Sequence, residues 1–124
     1  MEKPNILIVE DEYITALDIK TRLIIKGHYN FEIVASGEDA VKRATADHFD
    51  LILMDIKLKG EIDGIEAARI IREKSDVTIV YISGNSDLLN SKRLKDTKPH
   101  GALSKPINDW ELYQIVEMVK NKKN

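Results

Sequence analysis

Cysteine is absent from the 124-residue chain. Neither a disulfide framework nor a thiolate metal site is therefore available, and the composition fits a reducing cytoplasm. No run approaches the ~20 apolar residues that a membrane span needs. Lys3-Pro4-Asn5 interrupts the start too early for a signal peptide. An excess of positive charge is also missing: 19 Lys plus Arg against 21 Asp plus Glu leave a formal net charge of -2, with no basic field to hold a nucleic-acid backbone. No internal repeat, low-complexity tract or Pro/Gly-rich linker divides the chain, and its length suits one domain with a real core. The expectation is a single cytoplasmic domain over residues 1–124 that neither inserts into a membrane nor binds nucleic acid directly. Its core spans about 5–120, and Lys120-Asn121-Lys122-Lys123-Asn124 is a solvated tail or the start of a linker.

What is present is a series of short apolar runs at 5–9, 31–35, 51–54, 77–82 and 101–103, alternating with helix-length segments. Such alternation predicts a parallel sheet with helices on both faces. The first helix is expected to bury Ile14, Leu17, Thr21, Ile24 and Ile25 and to end at Gly27; the second buries Ala40, Val41, Ala44 and His48; the third buries Ile65, Ala68 and Ile71. Residues 86–95 form the least amphipathic helix. The last helix, with Asn108 as N-cap, buries Leu112, Ile115, Val116 and Val119. The fold class is α/β: a five-stranded parallel sheet in a (βα)5, flavodoxin-like three-layer sandwich.

Four of the runs stop at residues that carry chemistry: Glu10-Asp11, Asp55, Ser83 and Ser104-Lys105. Ligands of such sheets bind outside the carboxyl ends of the strands, so these endings converge on one pocket. Three carboxylates, a hydroxyl and an ammonium together suit a magnesium ion and a phosphoryl group. Asp55 ends the most continuously apolar run, expected at the centre of the sheet, and is the nucleophile for an acyl phosphate. Glu10 and Asp11 seat the cation, while Ser83 and Lys105 pair with phosphoryl oxygens. The scattered His28, His48 and His100 are read as structural or surface residues.

On these motifs, Glu10-Asp11, Asp55, Ser83-Gly84 and Lys105-Pro106, the chain resembles the receiver domain of response regulators over residues 5 to about 120. The resemblance implies that Asp55 is phosphorylated by a sensor histidine kinase or phosphotransfer protein, in a reaction that uses magnesium or, in its place, manganese. It implies that Asp11 binds the metal directly, Glu10 through water, and Asp55 and the Lys57 carbonyl complete the shell. Gly84 would leave room for the phosphoryl oxygens, and the bond before Pro106 would be cis. Beyond catalysing its own phosphorylation and dephosphorylation, such a domain is not an enzyme; its phosphorylated state alters binding to an output domain or partner protein.

Two features depart from the family pattern. The loop Leu58-Lys59-Gly60-Glu61-Ile62-Asp63-Gly64 is one residue longer than usual and lacks the usual proline, which predicts greater mobility. The aromatic ring usually found three residues before the lysine is replaced by Ala102, so the usual signal path to the outer face is interrupted. Two other readings stand beside the phosphorylated switch. One is a phosphorylation-independent docking module; the other is an aspartate-nucleophile phosphatase, which would need an acid where Lys57 stands. On the last helix, Trp110 and Tyr113 are expected opposite the core stripe. They would form a partner or homodimer face with the fourth helix and fifth strand.

Overall fold

The computed structural model describes residues 3–28 and 30–123. Each of the five apolar runs forms a strand: β1 (Ile6–Val9), β2 (Phe31–Val34), β3 (Leu51–Asp55), β4 (Thr78–Ser83) and β5 (Gly101–Ser104). All pair in parallel, in the order β2-β1-β3-β4-β5, which puts β3 at the centre. Because both faces are covered, β1, β3 and β4 are buried at every position and read as unbroken apolar runs.

Among the described residues six helices connect and follow the strands: α1 (Tyr13–Ile25), α2 (Gly37–Ala46), α3 (Gly64–Arg72), α4 (Ser86–Leu89), α5 (Lys92–Asp96) and α6 (Asp109–Lys123). The period of two along each strand divides the core. Ile6, Ile8, Leu51, Leu53, Val80 and Ile82 pack with Ile19 and Leu23 of α1 and with Leu112, Val116 and Val119 of α6. Leu7, Val9, Ile52, Met54, Ile79 and Tyr81 pack on the other face with Ala40, Ile65, Ala68, Ile71 and Leu94. Among the described residues no helix is long and apolar enough to cross a membrane.

Four local expectations need correction. Helix α1 buries Ala16, Ile19 and Leu23, leaving Ile14 at 82% and Ile25 at 75% exposure, with Leu17 and Thr21 also exposed. Small Ala16 brings the helix close to the sheet, and the bulkier stripe faces out. His48 is exposed because α2 ends at Ala46; the residue that turns inward is Phe49. The segment 86–95 is two single-turn helices separated at Asn90-Ser91, each with its own cap: Asn85 Oδ1 accepts from Asp87 N and Ser91 Oγ from Leu94 N. Finally, α6 continues to Lys123, so the expected tail is the helix's last turn; Asn124 lies outside the described residues.

Tyr81 stands in register with Ala102 on the neighbouring strand. It is fully buried, with its hydroxyl 2.7 Å from Thr97 Oγ1. Thr97 Oγ1 already donates its single proton to the Leu94 carbonyl at 2.6 Å, so Tyr81 must be the donor of the pair. Tyr81→Phe is expected to cost about 1 kcal/mol in denaturant unfolding; an unchanged midpoint would show that this bond holds nothing.

Candidate functional site

Strand register brings the site together. Val9 stands opposite Met54, so the next residues, Glu10 and Asp55, meet at the carboxyl edge. Ser83 stands opposite Ser104, which places Lys105 beside them. Lys105 Nζ donates to Glu10 Oε1 at 3.0 Å and to Asp55 Oδ2 at 3.4 Å, with Glu12 Oε1 at 3.9 Å. Glu10, Asp55 and Ser83 are all buried, at 3%, 4% and 3% exposure. Glu10, Asp55, Ser83 and Lys105 thus lie together at the carboxyl ends of their strands.

The electrostatics follow from crowding. Burial, and then a hydrogen bond with Asp55, push the Glu10 carboxyl up to about 7. Burial works against the Lys105 charge, but its bond to Glu10 and the charge of Asp55 hold it above the ordinary lysine value. Glu10 therefore keeps its proton to near neutrality, while the charge of Asp55 helps keep the Lys105 ammonium protonated.

Asp11 is half-buried, and its Oδ2 accepts from Lys59 N at 3.0 Å. This bond is one of several that tie down the long loop. Glu38 Oε1 accepts from Ile62 N at 3.3 Å, Leu58 and Ile62 pack on the core, and Asp63 caps α3 by accepting from Glu66 N at 2.8 Å. Asp63 also accepts two bonds from Arg93 at 3.0 Å. The loop expected to be loose is anchored to α2, α3 and α5.

Ser83 Oγ accepts from Asn85 N at 3.0 Å and lies 3.4 Å from the Asn85 carbonyl, so its proton is directed into its own turn. A cavity of about 560 Å3 opens over these groups, lined by Glu12, Asp55, Lys57, Ser83, Gly84, Asn85, Ser86 and Lys105. A methyl at Gly84 would touch only Lys105 Cβ, at 3.9 Å; alanine fits there. The Lys105–Pro106 peptide is cis. Ala102 is exposed on β5.

Oxygen atoms of Glu10, Asp11 and Asp55 all lie within 4.8 Å of one another. Hard carboxylate donors in such a cluster fit magnesium, and manganese by the same chemistry. Sequence reading missed two contributors. Glu12 lines the cavity, its Oε1 3.9 Å from Lys105 Nζ, and a Cβ on Gly64 would fall 2.0 Å from the Asp55 carbonyl oxygen.

Trp110 is 69% exposed, as expected, but Tyr113 is not free. It precedes Val116 by three residues, about 60° around the helix, so it flanks the core stripe. Its hydroxyl donates to the Arg22 carbonyl at 3.2 Å, and Lys26 Nζ lies 5.1 Å from its ring. Tyr113 therefore packs at the end of α1, and Trp110 lines the same hollow beside Lys26 and Gly27.

The family model described as the response regulator receiver domain matches residues 6–117. The chain is 34% identical over 112 residues to the transcriptional regulatory protein YvrH of Bacillus subtilis, covering 90% of this chain and 47% of that protein; it spans about half the length of that relative. It is 32% identical to the signal receiver domain of a modulated diguanylate cyclase from Desulfovibrio desulfuricans G20, with a TM-score of 0.88 and coverage of 98% and 97%. A third relative is the receiver domain of a sensor histidine kinase from Pseudomonas aeruginosa PAO1, whose structure has magnesium coordinated in the active-site cleft. That match is 30% identical, with a TM-score of 0.82, and covers 94% of this chain and 97% of the other.

Proposed function

We propose, since the chain belongs to the family of response regulator receiver domains, that Asp55 accepts a phosphoryl group from a histidine kinase or phosphotransfer protein and that the chain is a cytoplasmic signalling switch. The observation that carries this reading is Asp55 itself: it ends the central strand, lies between Glu10 and Lys105, and opens onto the cavity.

In the transfer, an Asp55 carboxylate oxygen attacks phosphorus and the P–N bond of a phosphohistidine breaks, its electron pair returning to the imidazole. A magnesium ion held by Glu10, Asp11, Asp55 and the Lys57 carbonyl would offset the charge of the incoming oxygens. Lys105 then exchanges its bond to Asp55 for one to a phosphoryl oxygen, and Ser83 redirects its proton from Asn85 to another. Gly84 adds no bulk to that approach.

The donor partner has a surface to meet. Tyr13 and Ile14, exposed at 70% and 82%, follow directly on the acidic residues, and Leu17 extends the apolar stripe. A kinase or phosphotransfer helix packed there would present its histidine to Asp55. The phosphorylated state then alters binding to an output domain, a partner or a second copy of the chain. Supporting a regulatory output, YvrH is a transcriptional regulator about twice the length of this chain.

Incubation with acetyl phosphate and magnesium, followed by intact mass, tests the chemistry. Wild type should gain one phosphoryl group and Asp55→Asn none. Labelling of Asp55→Asn, or no labelling of wild type, would refute the assignment. With a phosphorylated phosphotransfer protein as donor, Ile14→Glu should slow transfer at least about tenfold while acetyl phosphate labelling is retained.

A further inference from the structure

Helix α1 leaves the site and runs back for 13 residues, about 20 Å at ~1.5 Å per residue, so Lys26, Gly27 and His28 lie at the far end of the sheet from Asp55. On α6, Trp110, Tyr113, Gln114 and Glu117 recur at helical spacing and share one face. Between the two elements, together with Lys3 and Lys120, they line a hollow of about 340 Å3. Small-molecule sites occupy roughly 300–1,000 Å3, so this volume admits a small ligand.

Its chemistry is uneven for a chain with a net charge of -2. Three lysines line it against one acid, Glu117, whose Oε1 is 3.9 Å from Lys120 Nζ. Lys3 Nζ donates to the Gly27 carbonyl, and Lys26 lies over the Tyr113 ring, so two of the ammonium groups are positioned at the wall. Trp110, 69% exposed, offers an indole face at the rim.

His28 supplies an independent pointer. It is only 7% exposed, and its Nδ1 has no hydrogen-bond partner among the described residues. An unpartnered buried nitrogen is costly unless something outside the chain satisfies it. Burial, with the charge of Lys3 next, holds its pKa below the ordinary histidine value, so the ring is neutral at pH 7 and its two nitrogens want one donor and one acceptor.

We propose that this hollow binds a phosphorylated nucleoside, with the phosphate against Lys3, Lys26 and Lys120, the base against Trp110, and a polar ligand atom on His28 Nδ1. A bare anion would use the lysines and leave the indole idle; a neutral ring would leave the lysines idle. A nucleotide uses both, by the same pairing of aromatic faces and cations that holds single-stranded nucleic acid.

Trp110 is the only tryptophan, so its emission reports the site directly. The full chain would be titrated with the adenine, guanine, cytosine and uracil nucleoside monophosphates, with adenosine and inorganic phosphate in parallel. Calorimetry would follow Trp110→Ala and the double variant Lys26→Gln/Lys120→Gln. The expected result is saturable quenching by at least one nucleotide, binding about tenfold or more tighter than adenosine or phosphate. Each variant should lose about tenfold or more in affinity, and the ring carbon signals of His28 should move on binding to wild type. Retained acetyl phosphate labelling of Asp55 shows that the variants fold, and it stands or falls separately from nucleotide binding. No saturable change at millimolar nucleotide, equal binding of inorganic phosphate, or full affinity in both variants would overturn the proposal.

Discussion

In chelator, folding stability should fall by on the order of 3 kcal/mol between pH 4.5 and about 7, through Glu10 alone. Burial and Asp55 raise this carboxyl from 4.5 to about 7, so in that window the folded chain binds a proton that the unfolded chain has released. A raised folded pKa gives stability that is complete below the unfolded value and disappears as pH passes the folded one. The check is the difference between wild type and Glu10→Gln in urea unfolding across the window. A difference is needed because His28 and His100, both held below 6.5 chiefly by burial, act in the opposite direction. Asp55→Asn should also flatten the slope and raise the melting temperature at pH 8, since it removes the neighbouring charge. A wild-type profile parallel to that of Glu10→Gln would rule out a protonated Glu10 in the folded chain. Magnesium should abolish the slope near neutrality, because its carboxylate ligands must be ionised.

The second large effect is expected at Gly64. A Cβ there would lie 2.0 Å from the Asp55 carbonyl oxygen, 2.9 Å from its carbon and 3.0 Å from Ile56 Cα. All three are backbone atoms at the end of the central strand, so none can rotate away. Gly64 N also donates to the Ile56 carbonyl at 2.8 Å, which fixes how closely α3 approaches β3. Gly64→Ala should cost about 3 kcal/mol or more and weaken acetyl phosphate labelling by displacing Asp55. The contrast is Gly84→Ala, whose new methyl meets Lys105 Cβ at an ordinary 3.9 Å; it should stay within about 0.5 kcal/mol of wild type. If both variants unfold at the same midpoint, the close approach at Gly64 is not what holds the strand end.

The sheet was legible because its inner strands are buried on both faces and so are apolar without interruption; β3 stood out for that reason. The site was legible because parallel strands all end on the same side, which turns four sequence positions into one location. Helix α1 was misread for an equally physical reason. Ala16-Ile19-Leu23 and Ile14-Leu17-Thr21 both have helical spacing, and sequence favours the bulkier set, whereas packing against a sheet favours the stripe whose small residue allows close approach. Tyr113 was misplaced because a residue flanking the core stripe can bury its ring and keep its hydroxyl at a helix end. Gly64 carried no readable signal: its importance is the nearness of a backbone from an earlier strand, which only the fold creates. The anchored loop at 58–64 depends on Glu38, Asp11 and Arg93, which no local pattern connects to it.

The break at Asn90-Ser91 limits how far a signal from Ser83 can travel. Helix α4 is capped by Asn85, whose amide is bonded to Ser83 Oγ, and it contains no fully buried residue. A four-residue turn spans about 6 Å and has little stability of its own, so it is held chiefly by its cap and by Leu88 and Leu89 packed against the core. Helix α5 begins after two intervening residues and is pinned by Leu94, by Thr97 under Tyr81 and by Arg93 on Asp63. On the proposed phosphorylation of Asp55, a reader of that state would meet the molecule at residues 84–90, close enough to the cavity rim to sense the phosphoryl charge as well as the backbone.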